Sequence, residues 1–195
     1  MRRFLVTGHE TPTTAEFSLD DLASGAGRLD VLCRCVGDAL LTSHGVRADT
    51  SIWLVSRDEL TIRIDGAEVR SLSPNERSVA GLLRTALGAA DRAVGARWVE
   101  ASPGVEVAKL GFAAALEAAS DAGPVVQLHE DGTAFSELEL PAEGTFVLSD
   151  HLDFTAEETA VLDTRADARV SLGPTALHAD QAITVVQNRL DLLGH

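Results

Sequence analysis

The last third of the chain alternates short apolar segments with polar loops and helical segments, and this order limits the possible folds more than any other feature. The apolar segments are residues 125–128, 145–148 and 168–172. A helical segment beginning at Thr155 separates the last two, and an amphipathic segment at 180–193 follows the third. Such alternation is typical of a sheet whose strands run mostly parallel. The sequence therefore predicts an α/β fold with a mostly parallel sheet.

The first two thirds of the chain supply further elements of both kinds. The predicted elements are a strand at 3–7, a long polar loop at 10–27, a helix at 29–41, paired strands at 51–55 and 60–64, a helix from Ser73 onward, a turn at 102–104, and a helix at 111–119. Ser73 and Glu76 have the spacing of a capping box, and His44-Gly45 is expected to end the first helix. No repeat or linker interrupts this order, so residues 1–195 are predicted to form one domain.

The charge balance is strongly acidic. The net charge is −14, and Lys109 is the single lysine among 16 basic residues. Such acidity usually argues against a nucleic-acid ligand. Abundant carboxylates with arginine in place of lysine are, however, typical of a surface adapted to high intracellular salt. At molar salt the Debye length is about 3 Å, so self-repulsion is screened and short-range arginine contacts can still bind RNA.

Neither the chain start nor the cysteines indicate an exported or metal-stabilised protein. No stretch approaches the ~20 apolar residues of a membrane helix, and the start MRRFLVTGHE leaves no room for the apolar region of a signal peptide. We expect a cytoplasmic protein without a membrane partner. Cys33 and Cys35 have no second pair with which to form a zinc site, so they are predicted to be reduced core residues.

Each apolar segment in the last third leads into a loop with polar residues or glycine, at 128–132, 148–154 and 171–180. In an open α/β sheet, ligands bind at the carboxyl ends of the strands, so these loops are expected to lie together. None contains a dinucleotide or P-loop motif, and no GxSxG elbow is present. Gly173 and Pro174 with leucine neighbours fit an adenosine-type ligand held mainly by backbone groups.

The same loops leave a metal site open as an alternative. They contain residue types that bind metal ions, namely His129, His151, His178, Asp150, Asp153 and Asp180. Their spacing lacks the helical geometry of an HExxH motif, and each histidine is equally interpretable as a capping or hydrogen-bonding loop residue. No catalytic metal is predicted, and a metal-dependent hydrolase using His129, His151 and His178 remains the alternative from a different class.

Several motifs resemble one family over the whole chain and in the same order. They are FLVTGH at 4–9, GRLDVLCR at 27–34, SPNERS at 73–78, SPGV at 102–105, Ser149-Asp150-His151 with Phe154, Ser171-Leu172-Gly173, and Leu177-His178-Ala179-Asp180 before an amphipathic final helix. On these residues the chain resembles the archaeal tRNA pseudouridine-54 N1-methyltransferases. Together with the acidic composition, the resemblance implies a salt-loving archaeal host.

The resemblance implies a SPOUT-type fold, in which a mostly parallel sheet ends in a C-terminal trefoil knot that binds S-adenosylmethionine. It also implies a homodimer with the final helix and the knot at the interface. The positions that match the family's cofactor-binding residues are Leu128, Ser149, Ser171, Leu172, Gly173, Leu177, Ala179 and Gln181. Members often have glycine where this chain has Ser149.

The implied reaction transfers a methyl group to N1 of pseudouridine in the tRNA T-loop, which requires loss of the N1 proton. We predict catalytic roles for Asp30, as the group that accepts or orients that proton, and for its neighbour Arg28. Arg34 and Arg77 are predicted RNA contacts, because arginine makes bidentate contacts with RNA. Two alternatives stay open: a related SPOUT enzyme acting on ribosomal RNA pseudouridine, and a non-catalytic binding module that retains the knot.

Overall fold

The computed structural model describes residues 1–138 and 140–194, which are built around an eight-stranded sheet. The strands are β1 Arg2–Gly8, β2 Leu41–Thr42, β3 Gly45–Val46, β4 Thr50–Ser56, β5 Leu60–Asp65, β6 Val99–Ser102, β7 Val105–Ala108, β8 Val125–Ala134, β9 Gly144–Ser149 and β10 Ala168–Ser171. The helices are α1 Leu29–Leu40, α2 Glu76–Ala89, α3 Phe112–Ala119, α4 Ala156–Arg165 and α5 Ala179–Leu192. Strands β2 and β3 form a separate small hairpin.

The large sheet has the strand order β10-β8-β9-β1-β4-β5-β7-β6. Every pair from β10 through to β4 is parallel, and β5, β7 and β6 continue the sheet as antiparallel strands. The prediction of a mostly parallel sheet is confirmed. Since β8, β9, β1 and β10 run in the same direction, their carboxyl ends open onto one edge of the sheet.

Helices cover both faces of this sheet, and β1 shows why. Its side chains alternate, with Phe4 and Val6 in the core beneath α1, α2 and α5, and Leu5 in a second core beneath α3 and α4. All three side chains are completely buried. A strand that is apolar on both faces needs a layer on each side, which is the arrangement of an α/β protein.

A buried polar contact joins the two ends of the chain. The guanidinium of Arg2 donates to Gln187 Oε1 at 2.5 Å and to Asp191 Oδ1 at 2.8 Å, both on or next to the last turns of α5. The Gln187 amide donates in turn to the carbonyl of Ala39 on α1 at 2.8 Å. The C-terminal helix is thereby fixed to β1 and α1.

Several predicted boundaries are wrong. The first helix ends at Leu40 and not at His44-Gly45, which turns the β2–β3 hairpin. The second helix starts at Glu76, and its cap is Asn75, whose side chain accepts from Ser78 N at 3.3 Å, so the capping box of Ser73 does not form. Strands β6 and β7 were not predicted, because only the turn between them has a strong sequence signal.

Other local predictions hold. Thr155 caps α4 in a capping box with Glu158, and the stretch 10–27 contains no helix or strand. Cys33 and Cys35 are buried free thiols, and burial raises the pKa of Cys33 to about 12. Among the helices in residues 1–138 and 140–194, none has the length and apolar character needed to cross a membrane.

Candidate active site

The three loops of the last third meet around a cavity of about 260 Å³ at the carboxyl edge of the sheet. Ser149 and Ser171 line the cavity from the ends of β9 and β10, and Leu128 lines it from within β8. The predicted loop at 128–132 is wrong in one respect, since these residues are an irregular part of β8. The remaining lining residues include Leu148, Leu152, Phe154, Leu172, Gly173, Leu177 and Ala182, with His129, Asp150, His151 and His178 as polar members. The predicted convergence of these loops is confirmed.

A wide bulge in β8 shapes one side of the cavity. Pairing between β10 and β8 jumps from Arg169 opposite Gln127 to Val170 opposite Thr133, so residues 128–132 leave the ladder. The bulge returns at Gly132, where an added Cβ would lie 2.5–2.7 Å from backbone atoms of Val170 and Ser171. Only a residue without a side chain permits this approach of the two backbones.

All the nominated cofactor residues except Gln181 line this cavity. Gln181 lies in the first turn of α5, and its Oε1 accepts a hydrogen bond from His178 N at 3.1 Å. Ser171 Oγ donates to the carbonyl of Gly173 at 3.1 Å, and Ser149 Oγ donates to the carbonyl of Leu152. Both hydroxyls therefore hold the shape of their own loops.

The metal alternative gains no geometric support. His129, His151 and His178 all line the cavity, but the part of the chain that the structure describes holds no group of three or more His, Cys, Asp or Glu side chains placed to share an ion. His151 instead faces carboxylates, with Nδ1 3.4 Å from Asp150 and Nε2 3.8 Å from Glu10.

The predicted catalytic pair forms part of an ionic cluster at the start of α1. Arg28 Nε and Nη2 donate to the two carboxylate oxygens of Asp30 at 3.0 and 3.2 Å, and Arg34 Nη1 donates to Asp30 Oδ2 at 2.9 Å. Burial raises the pKa of Asp30, but the hydrogen bonds from both arginines outweigh it and hold the pKa below its ordinary value. Asp30 is therefore a fixed carboxylate.

This cluster adjoins the cavity. Arg34 Nε donates to Asp180 Oδ2 at 3.1 Å, and Asp180 is the neighbour of the lining residue Ala179. Arg28 also interacts electrostatically with the lining residue Asp150. The backbone of Arg28, immediately before α1, has a left-handed conformation with φ of 61°. This conformation is costly for a residue with a side chain and is often found at functional sites.

Arg77 lies elsewhere on the surface. It is more than half exposed and forms an ion pair with the exposed Asp20 in the long loop. Exposed pairs of this kind contribute little to stability, so the guanidinium of Arg77 is free to exchange its partner.

Sequence reasoning missed His9, the residue directly after β1. Its ring Nδ1 lies 2.9 Å from Asp150 Oδ1 and its Nε2 lies 2.9 Å from Glu158 Oε2. Since β1 lies beside β9, the first residue after β1 belongs to the same edge as the three predicted loops. The parallel pairing of β1 with β9 places His9 there, whereas the sequence prediction considered only the strands of the last third.

This parallel sheet, with helices on both faces and a cavity at its carboxyl edge, defines an α/β protein, and similarity to known proteins identifies its family. The family model described as putative SAM-dependent RNA methyltransferase matches residues 1–194. The chain belongs to that family, as the sequence resemblance implied.

Curated relatives match over the full length. The Halobacterium salinarum protein named tRNA (pseudouridine(54)-N(1))-methyltransferase is 55% identical over 194 residues, covering 100% of this chain and 98% of that protein. Proteins of the same name from Haloferax volcanii and Methanocella arvoryzae are 53% and 43% identical, the first over 100% of this chain and 98% of its own length, the second over 98% and 99%. Two of these three source organisms, Halobacterium salinarum and Haloferax volcanii, are haloarchaea.

Among solved structures, Archaeoglobus fulgidus Nep1 bound to S-adenosylhomocysteine superimposes with a TM-score of 0.66 at 16% identity, covering 100% of this chain and 99% of that one. The likeness concerns the fold. It confirms the predicted α/β class with its mostly parallel sheet, and the trefoil knot stays a prediction.

Proposed function

We propose that this protein transfers the methyl group of S-adenosylmethionine to N1 of pseudouridine 54 in the T-loop of tRNA. The observation that carries the proposal is identity of 50–55% over essentially the whole chain to curated proteins of that name. The cavity at the carboxyl edge supplies a place for the methyl donor in this chain.

The cavity residues fit an adenosyl ligand. Leu128, Leu172 and Leu177 offer apolar surface, and at Gly173 no atom lies within 4 Å of a would-be Cβ, so a ligand can approach this backbone closely. S-adenosylmethionine supplies an already activated methyl group when bound. The loops need only hold it in line with the acceptor, and positioning alone can lower a barrier by about 7–11 kcal/mol.

Asp30 and Arg28 are proposed to assist the loss of the N1 proton. A carboxylate whose pKa is held low is a weak base, so Asp30 acts best as a hydrogen-bond acceptor that orients N1–H and favours its departure. Arg28 fixes both oxygens of that carboxylate and is itself partly exposed. The cofactor site and this cluster are linked through Asp180.

Arg34 and Arg77 are proposed RNA contacts of different kinds. Arg34 is partly exposed and is ordered by Asp30, Asp180 and Glu76, so it would contact RNA as a guanidinium that is already held in place. Arg77 can exchange Asp20 for a phosphate at little cost. With a net charge of −14, binding by such short-range contacts is expected to operate at high salt.

Further features of the proposal concern assembly and place of action. Exposed leucines occur at the cavity mouth and at the end of α5, namely Leu152, Leu177, Leu192 and Leu193. Leu192 and Leu193 support a homodimer formed through the end of α5, since neighbouring exposed apolar groups often mark an interface. We also propose the SPOUT knot, one domain, a halophilic host and a cytoplasmic location, where tRNA is available.

The proposal is tested by transfer of labelled methyl from S-adenosylmethionine to two tRNA T-stem-loops in molar potassium chloride. One RNA carries pseudouridine at the T-loop position and the other carries uridine. We expect incorporation only into the first, because uridine attaches its ring through N1 and has no N1–H. Transfer to ribosomal RNA fragments instead would favour the alternative substrate, and RNA binding without cofactor binding would favour a non-catalytic module.

A second test concerns the approach of RNA to the cavity. Arg57 is exposed, has a φ of 49° and donates to the carbonyl of Glu10 at 3.0 Å, beside His151. We expect Arg57→Gly to reduce the slope of log affinity for the T-stem-loop against log salt by about 1, as for one lost phosphate contact. Its stability should stay within about 1 kcal/mol, since glycine adopts this backbone freely.

Arg57→Lys is the matched control, because it keeps the charge on the same backbone. Its salt slope should remain near that of the wild type over the range in which the protein is folded. An unchanged slope in Arg57→Gly would remove this arginine from the RNA-binding surface.

A further inference from the structure

His9 bridges two carboxylates that come from distant parts of the chain. Besides the two ring contacts, its backbone N–H donates to Asp150 Oδ2 at 3.0 Å. An ionised carboxylate only accepts hydrogen bonds. With Asp150 and Glu158 both ionised, both ring nitrogens of His9 must donate, and that requires the protonated imidazolium.

Burial makes this positive charge necessary. The side chain of Asp150 is 0% exposed, that of Glu158 is 8% exposed and that of His9 is 14% exposed. The other groups that donate to Glu158 are neutral, namely the Thr7 hydroxyl and the Thr155 backbone N–H, each at 2.8 Å. Buried carboxylates are stable only when paired, and His9 supplies the charge that pairs both.

The three residues join the ends of the paired strands β1 and β9 to the start of α4. His9 follows β1, Asp150 follows β9 and lines the cavity, and Glu158 belongs to the capping box of α4. Asp150 Oδ1 also accepts from Leu152 N at 2.9 Å, so its position sets the turn of the 149–154 loop.

We propose that His9 is a positioning residue whose imidazolium holds Asp150, and through it the 149–154 loop, in the conformation that receives the methyl donor. Loss of the proton from the imidazolium removes one of the two ring hydrogen bonds and loosens the 149–154 loop. The identity of the ligand in this inference rests on the proposed function, whereas the hold on the loop does not.

The direction of the pH dependence follows from the local charges. Burial lowers the pKa of His9, but its hydrogen bonds to Asp150 and Glu158 outweigh this effect and the net shift is upward. A raised pKa in the folded state means that the hold is complete below the unfolded pKa of histidine and is lost as the pH rises through the folded pKa. For Glu158, burial raises the pKa, but the bonds from His9, Thr155 and Thr7 lower it overall, so this carboxylate stays ionised where His9 is charged.

Other charged groups face the same cluster and belong in the interpretation. His151 Nδ1 lies 3.4 Å from Asp150, Glu10 lies 3.8 Å from His151, and Arg28 acts on Asp150 electrostatically. Arg28 keeps its charge throughout this pH range. The part of the alkaline loss of affinity that His9→Gln removes therefore belongs to His9.

The test is titration calorimetry of S-adenosylmethionine from mildly acidic to alkaline pH with the wild type and His9→Gln. Glutamine has one donor end and one acceptor end, so it cannot pair with both carboxylates. We expect wild-type affinity to fall as the pH rises. His9→Gln should bind roughly ten- to a hundredfold more weakly near neutrality, because one charged hydrogen bond is lost, and its affinity should vary less with pH.

His44→Gln is the matched control, since His44 is exposed in the β2–β3 turn. Comparison between variants removes the ligand's own titration, which is the same for all of them. Amide hydrogen exchange of residues 149–154 without ligand gives the second readout, and it should be faster in His9→Gln only. If His9→Gln does not fold, the same measurements are made on Glu158→Gln. This variant removes one of the two carboxylates that contact His9, and Glu158 does not line the cavity.

Equal affinity, equal pH dependence and equal exchange in wild type and His9→Gln would overturn the inference. If the wild type binds no S-adenosylmethionine at all, the proposed function fails. In that case the exchange of the 149–154 loop against pH still decides whether His9 holds it.

Discussion

Replacing Asp30 by asparagine is expected to lower methyl transfer to the pseudouridine T-stem-loop by about 100-fold or more, the usual contribution of a group that manages a proton. Asparagine retains the size of Asp30 but cannot pair with both Arg28 and Arg34. The effect should fall on kcat, because the cofactor cavity is lined by other residues. Single-turnover transfer measures it, with calorimetry showing unchanged affinity for S-adenosylmethionine.

The matched control is Asp38→Asn on the same helix. Asp38 Oδ2 accepts from Thr184 Oγ1 at 2.9 Å, a bond that asparagine can keep, and it has no part in the Arg28 and Arg34 pairing. Asp38→Asn should therefore retain turnover. Full turnover in Asp30→Asn, with RNA bound normally, would exclude Asp30 from the handling of the N1 proton.

Gly132→Ala is expected to lower both the stability and the affinity for the methyl donor. The added Cβ would meet backbone atoms of Val170 and Ser171 at 2.5–2.7 Å, and backbone cannot rotate away as a side chain can. Overpacking of this kind costs about 1–3 kcal/mol. Because Ser171 leads directly into Gly173 at the cavity, displacement of β10 should also weaken binding.

Urea unfolding and titration calorimetry measure the two effects of Gly132→Ala. Gly37→Ala in α1 is the control, since nothing lies within 4 Å of its would-be Cβ, and alanine should leave stability unchanged or raise it by up to about 1 kcal/mol. Wild-type stability and affinity in Gly132→Ala would mean that the β8 bulge can rearrange without disturbing the cavity.

The sequence was most informative where structure depends on neighbours along the chain. Apolar runs followed by polar loops located β8, β9 and β10, and the parallel arrangement then brought Leu128, Ser149 and Ser171 together as predicted. The same local signals located Thr155 as a helix cap. Short strands with weak patterns, such as β6 and β7, lie below what such signals resolve.

The misses are contacts between residues far apart in sequence. His9 and Asp150 are 141 positions apart, and Arg34 and Asp180 are 146 apart, so no spacing rule connects them. The contact of Gln181 Oε1 with His178 N was not predicted either, and the role of Gln181 in cofactor binding stays a prediction. The Asn75 cap shows the same limit on a smaller scale, since Ser73 fitted the pattern equally well and only the path of residues 70–75 decides between them.

The position of β1 has a consequence for how the chain is made. Strand β1 is synthesised before the other strands of this sheet and lies between β4 and β9, and its pairing with β9 joins Arg2 to Gly144. At synthesis rates of about 5–20 residues per second, one edge of β1 stays unpaired for roughly 7–28 s until the end of β9 has been made. Because this strand pairing is so non-local, refolding of the full chain is expected to be slow for its size, and nascent chains that end before β9 should be prone to aggregate.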